Sequence, residues 1–191
     1  GHTLIWHNQL PDWLLHYQGS PHQWDSLLKN HVQTVCRHFK GKVKSWDVVN
    51  EAFNDNGTLR ASVWQQNIGI TYLEKAFRYA HETDPDALLF YNDYDVALNP
   101  VKRGAILQLL KTLKQRGVSI DGIGLQMHIS LAYPDNADIA TALREISDAG
   151  FIVHLSEVDI SLNPLGKDLE LTTELLERQA QKLAALVLSY K

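Results

Sequence analysis

WDVVNE, residues 46–51, is the end of a short run rich in β-branched residues that starts at Val43 and stops on two polar side chains, Asn50 and Glu51. A buried parallel strand reads as a near-continuous apolar run, and its C-terminal end is where an α/β fold exposes chemistry. The pattern returns far downstream. HLSEVDI, residues 154–160, is again strand-like and ends in carboxylates, Glu157 and Asp159. Two glutamates at strand ends are the minimum equipment for acid/base-assisted cleavage of a glycosidic bond.

Working outward, the segments between strands read as helices with recognisable ends. Ser20-Pro21 supplies an N-cap and a proline at the first helical position, and the helix runs to about Phe39 before Gly41. After the turn signal Asn56-Gly57, a single amphipathic helix is predicted over residues 63–82, with Leu73, Ala76, Phe77 and Ala80 on one face, stopped by Asp84-Pro85. Asn99-Pro100 opens a helix to about residue 116. Two more are predicted over residues 137–149 and from Thr172 to Tyr190. Between them lie strands over residues 3–6, 43–49, 87–91, 123–127 and 151–158. The order is β-α five times over, with no linker or low-complexity tract, which implies a parallel sheet covered by helices.

Every strand ends in polar groups: His7, then Asn50 and Glu51, Asn92 and Asp93, Gln126 and His128, Glu157 and Asp159. An open doubly wound sheet concentrates function at one switch point, whereas polar groups at every strand end fit a barrel rim. The predicted class is therefore α/β of the (β/α)8 TIM-barrel type. It is incomplete, because closure needs eight units and typically about 250 residues.

Composition narrows the function. The chain has 191 residues and a formal net charge of -4. That balance argues against a nucleic-acid partner, which needs clustered positive charge. No apolar run approaches the roughly 18 residues of a membrane span, so no membrane partner is expected. There is no signal-peptide pattern. The chain opens without Met and directly in strand-like sequence, which predicts that the natural N-terminus lies upstream. The single cysteine, Cys36, sits on a helical pattern with Val32, Val35 and Phe39 and reads as core packing. Nine histidines invite a metal reading. However, HExxH is absent and His154 and Glu157 fall on opposite faces of a strand, so no metal is expected.

Five motifs occur in order: GHTLIWHNQLPDW (1–13), WDVVNEAF (46–53), YNDYD (91–95), GIGLQMHI (122–129) and HLSEVDI (154–160). With LRASVW, IGITYLEKAFRYAHETDPDA and ERQAQ between and after them, the whole chain resembles family 10 glycoside hydrolases, the retaining endo-β-1,4-xylanase family with a (β/α)8 barrel. The resemblance implies that residues 1–191 are a partial catalytic domain carrying the family's third to seventh strands, without its first, second and eighth. It also implies xylan or xylo-oligosaccharides as substrate, no cofactor, and a secreted or periplasmic setting. The oligomeric state stays open.

The same resemblance assigns roles. Glu51 is the expected general acid/base, protonated to help the leaving group depart and ionised to activate water afterwards. Glu157 is the expected nucleophile, about 5–5.5 Å from it if configuration is retained. Asn50 is expected on the sugar 2-hydroxyl and Gln126 on the sugar. His7 and Trp13 are expected on the glycone side and Tyr94 on the aglycone side. His128 is a second substrate contact and, with Asp159, supports the nucleophile. Plain strand alternation predicts the shared face, pairing Gln126 with His128 and Glu157 with Asp159. Where the family has Asn after NDY this chain has Asp95, so no contact is carried to that position. Residue by residue, plainer readings stay open: an ion-paired glutamate, a core histidine, a packing tryptophan. Trp46 and Trp64 read as packing. Two functional alternatives also stay open, a retaining β-glucanase on the same scaffold and a non-catalytic barrel fragment that binds carbohydrate.

Overall fold

The computed structural model describes residues 1–166 and 170–189. Four strands, β1 (Ser45–Asn50), β2 (Leu88–Tyr94), β3 (Gly122–Ser130) and β4 (Ile152–Ser161), form one sheet in sequential order. All three pairings are parallel. The helices that connect them are α2 (Pro21–Phe39) before β1, α3 (Val63–Ile68) and α4 (Thr71–Thr83), α5 (Pro100–Gln115) and α6 (Asn136–Asp148). A short α1 (Asp12–Leu15) precedes α2, and α7 (Thr173–Ser189) follows β4. The expected helix end at Tyr190 lies outside the described residues. The architecture is that of an incomplete (β/α) barrel, a run of βα units that stops short of closure.

Local sequence explains the helix starts. Ser20 forms a capping box, its Oγ accepting from Gln23 N–H while Gln23 Oε1 accepts from Ser20 N–H at 2.8 Å. Asn99 Oδ1 accepts from the amides of Val101 and Lys102 at 3.1 and 3.0 Å. These side chains satisfy amides that the first helical turn leaves without partners. The apolar faces of α2 and α4 join the buried core. Leu28, Val32 and Cys36 of α2 and Leu73, Ala76, Phe77 and Ala80 of α4 are fully buried. Burial pushes the Cys36 thiol up to about 12, helped by Asp84, in keeping with its packing role. No helix among the described residues is long and apolar enough to cross a membrane.

Three expectations need correction. The segment expected as the first strand is not one. Ile5 makes an isolated parallel bridge to Val49. Consecutive amides, Leu4 and Ile5, donate to consecutive carbonyls of Asp47 and Val48, each at 3.0 Å, instead of alternating as a regular ladder does. The β1–β2 register also slips between Asp47 and Val49. The segment therefore lies where a further strand belongs without running in step with β1. The helix expected over residues 63–82 is two helices. Gly69, at φ 79, closes α3, and its amide donates to the Gln65 carbonyl. Lastly, β3 and β4 run past their expected ends, β3 through His128 to Ser130 and β4 through Asp159 to Ser161.

Candidate active site

The site gathers at the C-terminal ends of the strands, where the backbone departs from regular geometry. Glu51, just after β1, has φ 56 and Glu157, inside β4, has φ 51. Left-handed backbone is uncommon for side chains with a Cβ and tends to be held in place by its surroundings at functional sites. At Glu157 the consequence is a bulge. Gln126 pairs with Ser156, but the next pair is His128 with Asp159. Two steps along β3 thus match three along β4. This corrects the alternation argument. From the Gln126–Ser156 pair, a regular ladder would turn Glu157 and Asp159 away from His128. The extra residue brings them back to its side.

The two carboxylates are joined through three amide side chains. Glu51 Oε1 accepts from Gln126 Nε2 at 3.0 Å and from Asn50 Nδ2 at 3.3 Å, while its Oε2 accepts from Trp6 Nε1 at 3.0 Å. Glu157 Oε1 accepts from Asn92 Nδ2 at 2.7 Å. Asn50 Oδ1 closes the link, accepting from both Asn92 Nδ2 and Gln126 Nε2 at 2.9 and 3.0 Å. Ser156 Oγ in turn donates to Asn92 Oδ1. Asn92 is fully buried and Asn50 nearly so, so both need these partners. Glu51 and Glu157, with Asn50, Tyr94, Gln126 and His128, line one open cavity of about 510 Å³.

His128 bridges two carboxylates. Its Nε2 lies 3.2 Å from Glu157 Oε2, and its Nδ1 makes a short hydrogen bond with Asp159 Oδ2. Burial works against the charged ring, but the Asp159 and Glu157 carboxylates outweigh it and hold His128 above its ordinary value. The associated stabilisation is present below the ordinary histidine pKa and is lost as pH rises through the raised one. Followed by NMR, the His128 ring should titrate above the ordinary 6.5. Asp159→Asn should bring its midpoint down, and an unmoved midpoint would contradict the bridge.

The other expected residues divide. Tyr94 lines the cavity, and its Oη accepts from Arg60 Nη2 at 3.1 Å. His7 lies beside Glu51, with Nδ1 4.0 Å from Oε2. That nitrogen is buried without a hydrogen-bond partner among the described residues. Burial, then the Arg60 charge, lowers the His7 pKa against the pull of Glu51. Trp13 is not brought to the carboxylates. It stands 59% exposed on α1, in a neighbouring cavity of about 490 Å³ that shares Trp6 with the first. Trp46 and Trp64 are buried, as expected for packing residues. Among the described residues, no group of three or more His, Cys, Asp or Glu side chains is arranged to hold a metal.

Sequence reading missed Trp6, His2 and Asn92. Trp6 sits inside a quoted motif, but nothing in the motif says that its indole reaches Glu51. His2 Nδ1 lies 3.0 Å from Asp47 Oδ2 and 3.9 Å from Glu157 Oε1. Asn92 pairs in register with Asn50, so a second strand-end Asn was the available signal. Its space is reserved by Gly124, where an added Cβ would stand 2.2 Å from Asn92 Oδ1. Gly124→Ala should therefore displace the Asn92 amide and destabilise the fold by about 1–3 kcal/mol. The midpoint of urea unfolding checks this, and an unchanged midpoint would contradict it.

Comparison with known proteins bears on the same geometry. The family model described as glycosyl hydrolase family 10 matches residues 1–191. An endo-1,4-beta-xylanase of Geobacillus stearothermophilus is 45% identical, covering all of this chain and 61% of that protein. The crystal structure of native xylanase 10B from Thermotoga maritima superposes with a TM-score of 0.89 at 42% identity, covering 97% of this chain and 56% of that one. Xylanase 10B from Thermotoga petrophila, solved in complex with xylobiose, gives 0.89 at 41% identity, covering 99% and 57%. The chain thus spans roughly three fifths of the length of these relatives. With the family model matched from end to end, the chain belongs to glycosyl hydrolase family 10.

Proposed function

We propose that residues 1–191 are part of a catalytic domain that hydrolyses internal β-1,4-xylosidic bonds of xylan with retention of configuration. The observation that carries this reading is the pair Glu51 and Glu157, set on one cavity and linked through Asn50, Asn92 and Gln126. The xylanase names of the relatives and the xylobiose bound to one of them support xylan as substrate.

In the first step Glu157 attacks the anomeric carbon. The glycosidic C–O bond breaks as Glu51 transfers its proton to the departing oxygen. The product is a glycosyl ester on Glu157 and an ionised Glu51. In the second step Glu51 takes a proton from water, the water oxygen attacks the anomeric carbon, and Glu157 leaves as carboxylate. His128 and Asp159 orient Glu157 from one side and Asn92 from the other. Asn50 Nδ2 meets Glu51 at 3.3 Å, the longest bond of the set. A sugar 2-hydroxyl would replace that contact most readily. Gln126 and Tyr94 reach the sugar from the cavity wall, and His7 stands beside Glu51 on the glycone side.

Reducing-sugar release from xylan, measured beside a β-1,4-glucan, tests the reading. Release from xylan that exceeds release from glucan is expected. Release from glucan alone would favour the β-glucanase alternative, and release from neither by folded protein would favour a non-catalytic one.

A further inference from the structure

A buried cation is connected to both ends of the peptide bond that follows Glu51. Lys102 projects from the first turn of α5 and is fully buried, as is Asp93, whose Oδ1 lies 2.9 Å from Lys102 Nζ. Tyr91 and Asp93 flank Asn92 on β2, so by alternation they point to the opposite face from the amide that holds Glu157. Asp93 Oδ2 accepts from Tyr91 Oη, and Tyr91 Oη accepts from the Ala52 N–H at 2.9 Å. A second arm starts from the same cation. Lys102 Nζ lies 3.3 Å from the centre of the Tyr94 ring. Tyr94 Oη accepts from Arg60 Nη2, and Arg60 Nε donates to the Glu51 carbonyl at 3.1 Å. Both arms end on one peptide, the Glu51 C=O and the Ala52 N–H. On the other side of Glu51, its own N–H donates to the Asn92 carbonyl at 2.9 Å.

Stability alone is a poor reason for this arrangement. Desolvation of a buried ion pair often outweighs its attraction, and an apolar replacement of both partners is often neutral or better. The first turn of a helix is also the unfavourable end for a cation. Lys102 also faces the exposed Asp55, at 3.4 Å, and its charge acts on Asp95. What the pair does accomplish is geometric. With Lys102 beside it, Asp93 accepts from the Tyr91 hydroxyl, which leaves the phenol oxygen free to accept from Ala52. Burial pushes Asp93 up to about 6 although Lys102 opposes the rise. Without the cation, the carboxylate would be readier to take up a proton and release Tyr91.

We propose that Lys102, Asp93 and Tyr91 are positioning residues for Glu51: with Tyr94 and Arg60 they clamp the Glu51–Ala52 peptide, and so set the direction in which the Glu51 carboxyl enters the cavity. The inference rests on Glu51 being the general acid. Tyr91→Phe removes one hydroxyl, and Lys102→Met removes the charge while keeping most of the stem. On an aryl β-xylobioside with a poor leaving group, which needs protonation, both variants should lose about 10- to 100-fold in kcat/KM, the scale of a small misplacement. With an activated leaving group kcat/KM should change little. A merely structural role would lower both alike, and equal losses would overturn the proposal.

A second measurement does not need turnover. Hydrogen exchange at the Ala52 amide should quicken in Tyr91→Phe relative to other β1 and β2 amides. Unchanged exchange would overturn the clamp. Glu51→Ala on the same two substrates keeps the premise separate. If its losses do not depend on the leaving group, Glu51 is not the general acid. The Ala52 exchange then still decides whether the clamp exists.

Discussion

Glu157→Ala should stop the xylan hydrolysis proposed for this chain. The expected fall in kcat is on the order of 10⁴-fold or more, the scale on which loss of a nucleophile registers. Among the described residues, no other carboxylate is placed to form the glycosyl ester. Asp159 is engaged by His128 Nδ1, and Glu51 lies beyond the three amides. The fold should survive, because the Glu157 side chain is 29% exposed on an edge strand. The losses are local: Asn92 Nδ2 keeps Asn50 as acceptor, and His128 keeps Asp159. Urea unfolding of the variant alongside its kinetics separates the two effects. An intact variant that retains a tenth or more of the activity would remove Glu157 from the nucleophile role.

Glu51→Ala should produce a different pattern. General acid catalysis contributes about 10²–10⁴-fold, and it contributes most where the leaving group is poor. On xylan the loss should fall in that range. On an aryl xylobioside whose leaving group departs unaided, kcat/KM should stay near that of the parent chain. Deglycosylation still lacks its base, so kcat should fall and the glycosyl ester should accumulate. Equal losses in kcat/KM on both substrates would contradict the acid role. Glu157→Ala should remove both activities, and that contrast would assign one role to each carboxylate.

Much of this fold is legible in the residues. Ser20-Pro21 and Asn99-Pro100 mark helix starts because a side-chain oxygen must meet amides that the first turn leaves open. The apolar runs before Asn50 and Asn92 mark strands buried on both faces. The barrel type follows from polar groups at successive strand ends, as the family match bears out. Gly69 was less readable. A glycine inside an amphipathic pattern can be tolerated, and only its left-handed φ shows that it ends α3.

The site was legible as a list of residues more than as a geometry. His128, Glu157 and Asp159 do meet, but through a bulge set by cross-strand register. Nothing in the letters HLSEVDI announces that register. Asn92 and Trp6 are bound to the carboxylates by contacts 65 and 45 positions apart in sequence, which local pattern cannot supply. Trp13 shows the same limit. An aromatic next to a site motif is a fair candidate for a sugar-facing wall, yet helix α1 carries it into the neighbouring cavity.

The most direct measurement is to trap the covalent intermediate. A xylobioside bearing fluorine at C2 and a good leaving group slows both steps and the second more, so the glycosyl ester persists. Mass spectrometry of the intact chain, then of its peptides, locates it. One fluoroxylobiosyl group on Glu157 is the expected result, with none on the Glu157→Ala variant. A chain that hydrolyses xylan but shows no adduct, or carries it on another residue, would contradict a double displacement through Glu157.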